Sequence, residues 1–290
     1  MAKSAKRPGP NGETTSFAGT LRVGSGFALA SVEPGSTPGF DGKSKDAEAE
    51  IPDHQSRLAD LQERLYAQST EGGSRSLLLV VQGMDTAGKG GIMRHVVGMM
   101  DPQGVRYHAF KAPTEEERHH DFLWRVTNAL PVPGQVGVFD RSQYEDVLIV
   151  RVHGLVPEDV WSTRYDAINA WEKDRADKGM TIVKVMLHIS ADEQKARLQA
   201  RLDRPDKNWK FNPGDVDERR LWPRYMEAYE DALLRCSTEA APWYCVPGDK
   251  KWYARYAVTN LVLEALEGLS MGWPSVDFDV EEQKRLLAAT

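Results

Sequence analysis

Six residues, LLLVVQ from Leu77 to Gln82, run directly into a glycine-rich stretch, GMDTAGKGG, that ends at Gly91. A short apolar run of this length and β-branching reads as a buried strand of a parallel sheet. The residues from Gly88 to about Met100 then read as a helix, stopped by Asp101-Pro102-Gln103-Gly104. The same alternation continues along the chain. VRYHAFK at 105–111 reads as a strand, and Thr114 with Glu117 forms a capping box for a helix reaching Ala129. Pro131 and Pro133 break that helix before the strand VGVF at 136–139, and a helix follows over about 157–177. TIVKVMLHI at 181–189 is a fourth strand, with Ser190 and Glu193 capping the next helix. After the polar segment RPDKNWKFNPGD come a helix over about 216–236, the short strand WYCVP and a last helix over about 251–267. Upstream, Leu58, Leu61 and Leu65 have helical spacing.

Strands alternating with helices imply an α/β fold whose parallel sheet is covered on both faces. In such sheets ligands bind beyond the carboxyl ends of the strands. Three chemically loaded segments fall just there: GMDTAGKGG, KAPTEEE and DRSQYED.

From Gly83 through Gly88 and Lys89 the loop nearly spells G-x-x-x-x-G-K-[ST], a phosphate-binding signature. Gly83 and Gly88 let backbone N–H groups converge on one anion, and Lys89 adds a full charge beside the positive end of a helix. The magnesium-holding hydroxyl is missing, because Gly90 stands in its place. Asp85 inside the loop and Asp140 at the end of VGVF offer two carboxylates instead, if their strands are neighbours. Arg141, directly after Asp140, is placed to reach a transferring phosphoryl group with a guanidinium that stays charged.

At 290 residues the chain has room for one large α/β domain, or a domain with an appended subdomain. A net charge of −6 argues against nucleic-acid binding over the whole surface. Eight Lys/Arg against five Asp/Glu from Arg197 to Arg224 still leave room for a local basic channel. No uncharged apolar run approaches the roughly 18 residues that cross a bilayer. MAKSAKRPGPNG has no apolar segment behind its basic residues, so neither a membrane span nor a secretory leader is expected. Cys236 and Cys245 read as packed, reduced thiols of a cytoplasmic protein. Residues 1 to about 50, rich in Gly, Ser, Pro and charge, read as a flexible or loosely attached extension, and 271–290 as a C-terminal tail.

Six segments in order resemble the polyphosphate kinase 2 family over most of residues 50 to 270. They are GMDTAGKGG, FKAPTEEE, DFLWR, DRSQYEDVLIVRV, NWKFNPGD and APWYCVPGDKKWYARYAV. The resemblance implies a three-layer, P-loop kinase-like fold similar to thymidylate kinase, over residues 51–270, with a helical lid at about 197–224. It implies magnesium-dependent phosphoryl transfer between inorganic polyphosphate and nucleotides, with manganese as the alternative ion. Asp85, Lys89 and Asp140 match its catalytic centre, although many relatives read FNRS where this chain has FDRS. Lys111 and Arg125 match basic positions along its polyphosphate channel, and Arg201 and Lys210 match basic positions of its lid. Arg94, one turn past the loop, reads equally as an extension of that row or as a surface charge of the loop helix. Glu145 stands where members accepting nucleoside monophosphates tend to have glutamate and members restricted to diphosphates tend to have asparagine. The family also suggests a homo-oligomer, a dimer or tetramer.

Arg197, Arg201 and Arg204 share one helix face, as either a lid helix or a solvated basic face would place them. The resemblance favours the lid for Arg201 but not for Arg204, where many relatives have an acidic residue. His119, His120 and Asp121 resemble a metal cluster only in sequence, because adjacent residues on a helix point apart, and capping or packing is the better reading. Trp222, Tyr225 and Tyr229 have the helical spacing of core packing. Two other functions fit the loop. An ATP-dependent nucleoside or nucleotide kinase would share it, but should keep Ser or Thr after the lysine and has no need of a basic channel. A non-catalytic polyphosphate-binding module would not need Lys89, Asp85, Asp140 and Arg141 together.

Overall fold

LLLVVQ forms the centre of β1, Ser76–Gly83, in the computed structural model, which describes residues 16–290. β2 (Val105–Ala109), β3 (Val136–Asp140), β4 (Met180–His188) and β5 (Trp243–Pro247) complete one sheet. All pairings are parallel, in the order β2-β3-β1-β4-β5. The most apolar strand therefore lies in the middle. Its side chains alternate between two cores: Leu77, Leu79 and Val81 face one, Leu78 and Val80 the other. Helices Ile51–Thr70, Lys89–His95 and Lys251–Gly268 cover the first face, and Arg164–Asp177 and Trp222–Cys236 the second. Each large side chain buried this way contributes roughly 1.5–3 kcal/mol over leaving it exposed.

Several helices are more broken than the sequence pattern suggests. The segment 114–129 splits into Glu115–Arg118 and Trp124–Ala129. Asp121 lies between them, its carboxylate accepting from the Leu123 N–H at 2.9 Å, while His120 stacks on Trp124 at 4.1 Å. The capping and packing reading of that polar trio therefore holds. The helix expected over 216–236 breaks at Leu221 into Gly214–Arg220 and Trp222–Cys236, because Pro223 has no N–H to continue the first one.

The reading of residues 1 to about 50 as a loose extension needs correction over 16–50; residues 1–15 lie outside the described part. The helix Phe17–Leu21 lies on Lys251–Gly268, whose Glu264 accepts from Ser16 Oγ at 2.6 Å, Phe17 N at 2.8 Å and Ala18 N at 3.0 Å. Arg22 forms an antiparallel bridge to Tyr244, and Phe17, Leu21, Val23 and Leu29 are buried. Composition misled because four well-spaced apolar anchors suffice to seat a Gly- and Pro-rich strap. Phe17→Ala should cost about 3 kcal/mol of stability in a urea melt. An unchanged midpoint would return the strap to a loose extension.

Beyond Met271, the helix Val280–Ala288 has no buried residue. Among the described residues, no helix is long and apolar enough to cross a membrane.

Candidate active site

β1 ends at Gly83, with φ 151°, where a Cβ would lie 2.9 Å from the Leu187 carbonyl oxygen. Only glycine lets the chain leave the sheet so close to β4. Thr86 is held at φ 66°, a rare conformation for a β-branched residue, and Gly88 at φ 119° starts the helix Lys89–His95. Lys89 folds back over this turn, its Nζ donating to the Gly83 carbonyl at 2.6 Å and to Met84 at 3.4 Å. The N–H groups of Thr86, Gly88, Lys89 and Gly90 donate to no carbonyl among the described residues, which leaves them for an anion. Burial pushes the Lys89 ammonium below its usual range, and Asp85 opposes that shift most strongly.

β3 lies beside β1 with Asp140 opposite Val81, so both carboxylates expected at one phosphate site come from adjacent strand ends. Arg141 takes a left-handed kink at φ 65°, its N–H donating to the Val81 carbonyl at 3.1 Å. That kink brings its Nη2 over the loop to donate to Asp85 Oδ1 at 3.2 Å. Burial works against the guanidinium charge, yet Glu145 and Asp85 together hold its pKa above the ordinary value.

Glu145, on the short turn Gln143–Asp146, lines the same cleft as Asp85 and Arg141. Burial raises its pKa, and Arg141 and Lys89 pull it back. The cleft encloses about 510 Å³, counting its open mouth. Its far wall carries Asp215, Glu218, Tyr225 and Tyr229, none of which sequence reasoning placed there. Tyr225 donates to Glu218 at 2.6 Å, and His153 Nε2 lies 2.9 Å from the other Glu218 oxygen. Tyr225 and Tyr229 are buried, as core spacing required. Their i, i+4 relation marked one helix face without showing that this face ends at the loop.

The basic residues divide into those with free charge and those already spent. Lys111 and Arg94 are exposed, and Gly90 borders open space. Arg125, expected along a channel, is only 7% exposed. It donates to the Lys111 carbonyl at 2.9 Å, lies 3.6 Å from Glu117 and covers the Phe110 ring. It therefore braces the turn that carries Lys111. Arg197, grouped with the lid, is likewise buried, and donates to the carbonyls of Thr86, Ala87, Gly248 and Asp249 at 2.7–3.0 Å. It is a strut between the loop and the end of β5. Arg201 donates to the Lys210 carbonyl at 3.1 Å and lies 3.5 Å from Asp215. Lys210 places its ammonium 4.9 Å from the centre of the Trp209 ring. Arg255, not foreseen, comes within 3.7 Å of where a Gly91 Cβ would stand, beside the start of the loop helix.

Among the described residues, no three or more His, Cys, Asp or Glu side chains gather as a metal cage. Two carboxylates are nonetheless the donor set of a hard ion that completes its shell with water and phosphate. Asp140 at the end of β3 and Asp85 just past the end of the neighbouring β1 offer such a donor set.

A loop of this form at the end of the central strand, with chemistry on the adjoining strand ends, defines a P-loop kinase, and the chain is an enzyme of that class. The description "Polyphosphate kinase 2" matches residues 41–271, and the chain belongs to that family. It is 48% identical over 248 residues to the AMP/ADP-polyphosphate phosphotransferase of Meiothermus ruber, covering 86% of this chain and 91% of that one. It is 46% identical over 230 residues to the ADP-polyphosphate phosphotransferase of Rhodopseudomonas palustris, covering 75% and 78%. The crystal structure of polyphosphate kinase 2 from Arthrobacter aurescens TC1 superposes with a TM-score of 0.94 at 56% identity, covering 96% and 98%.

Proposed function

We propose that this enzyme transfers phosphoryl groups from inorganic polyphosphate to both nucleoside mono- and diphosphates. Magnesium is the proposed ion, with manganese as the alternative, and the proposed setting is a cytoplasmic homo-oligomer, dimer or tetramer. The observation that carries the acceptor range is Glu145, which lines the cleft with Asp85 and Arg141. The Meiothermus relative, named for both AMP and ADP, supports it.

In the proposed reaction the free loop N–H groups and Lys89 hold the terminal phosphate of the polyphosphate chain. An oxygen of the acceptor's phosphate attacks its phosphorus, the bond to the next phosphate breaks, and the chain leaves one unit shorter. The attacking oxygen is already anionic, so no general base is required, and positioning and charge neutralisation do the work. Arg141 exchanges its bond to Asp85 for the phosphoryl oxygens as substrate arrives. Asp85 and Asp140 would hold the divalent ion, which supplies neutralisation of phosphate charge when bound. The segment from Arg197 to Arg224 acts as a lid, with Arg201 and Lys210 directed to phosphates and water kept out.

Purified protein incubated with magnesium, polyphosphate and AMP or ADP should yield ADP and ATP, and excess EDTA should abolish both. No product from either acceptor overturns the reading, and product from ADP alone overturns the acceptor range assigned to Glu145. An arm with ATP as donor and a nucleoside as acceptor tests the ATP-dependent kinase.

A further inference from the structure

β4 is apolar along most of its length but carries Lys184 at its centre, fully buried between β1 and β5. A lysine there is costly unless paired, and an apolar residue of similar volume would serve packing as well. Its three protons are all used. Nζ donates to Glu172 Oε2 on the helix Arg164–Asp177, to the Tyr144 hydroxyl at 2.7 Å and to the Cys236 carbonyl at 2.7 Å. Glu172, also fully buried, accepts on its other oxygen from Gln143 Nε2 at 2.9 Å and from the Tyr144 hydroxyl at 2.9 Å. Gln143 and Tyr144 directly precede Glu145 on the turn that faces the cleft. Cys236 ends the helix that carries Tyr225 and Tyr229 on the opposite cleft wall.

We infer that the buried Lys184–Glu172 pair is the mount that fixes Glu145 against the opposite cleft wall, and so helps decide between monophosphate and diphosphate acceptors. Both residues are positioning residues, since neither reaches the cleft. The inference rests on the acceptor role proposed for Glu145. A purely apolar core at this place would pack β3, β4 and the helices together, but would leave the turn free to rotate about its own backbone. Glu172 prevents that by holding two consecutive side chains of the turn at once. Ser142 adds a third tie, its Oγ accepting from Gln82 Nε2 at 3.1 Å. Burial disfavours the charge on both partners, and each is the main group holding the other ionised.

The test is the ratio of kcat/KM for AMP to that for ADP, with polyphosphate saturating, in Tyr144→Phe and in the double variant Lys184→Met/Glu172→Gln. The double change avoids leaving one buried charge alone, and Tyr144→Phe keeps the pair while removing one tie. The expected result is a ratio changed roughly tenfold in either variant, with KM for polyphosphate unmoved, since small misplacements of a positioning group have effects of this order. Glu145→Asn is measured alongside, and Tyr144→Phe should add nothing to the ratio in that background. Folded variants that keep the parental ratio, or that lose both activities equally, overturn the mount while leaving Glu145 in its role if Glu145→Asn still shifts the ratio. A parental ratio in Glu145→Asn overturns the acceptor role itself, and the mount with it.

Discussion

Asp85→Asn should lower turnover roughly a hundredfold or more, with the fold intact. Asparagine has the same shape, and the loop position is partly exposed, with 36% of the Asp85 side chain open to solvent. Structural cost is therefore small, and the loss falls on the negative charge. In a transfer carried by charge neutralisation, removing one preorganised group typically costs 10²–10³ in rate. The same variant should need more magnesium for half-maximal rate, because one of two proposed ligands has become neutral. Circular dichroism and a magnesium titration of the initial rate separate these effects. Near-normal turnover at the parental magnesium requirement would put the metal-side oxygen elsewhere and return Asp85 to a partner of Arg141.

Arg141→Ala should lower turnover by roughly a thousandfold, in the range known for arginines that stabilise a transferring phosphoryl group. Arg141→Lys should recover only part of it. Lysine keeps the charge but lacks the two-pronged guanidinium, so it neutralises without orienting. The backbone supports an assignment to chemistry over stability. Arg141 is held at φ 65°, a strained conformation for a side chain this large. Among the described residues its ion pair is to the partly exposed Asp85, and strain held without a buried salt bridge to balance it points to aiming. Single-turnover rates with saturating polyphosphate decide the matter: equal rates for parent and Arg141→Lys would reduce Arg141 to a simple counter-charge.

Strand, loop and helix order was legible from residues alone because each signal is local. LLLVVQ needs no partner to read as buried, and glycines at 83 and 88 announce a turn whatever surrounds them. Thr114 and Ser190 cap their helices as their spacing to Glu117 and Glu193 implies. The adjacency of Asp85 and Asp140 was conditional on strand order, and the β3–β1 pairing supplies it. The fate of the arginines was not legible. Arg141, Arg125 and Arg197 carry the same charge in sequence, yet one faces the cleft and two are consumed by carbonyls.

The chain by itself thus determined a parallel α/β fold with a phosphate loop at its central strand, since these follow from patterns within a few residues. Which charges remain free, that residues 16–50 are packed, and that Lys184 and Glu172 meet beneath Glu145 were decided by tertiary structure. Those outcomes depend on partners up to 248 residues away, as for Ser16 and Glu264, and on whether burial leaves a charge any solvent. Periodicity shows which face a side chain occupies; only packing shows what that face meets.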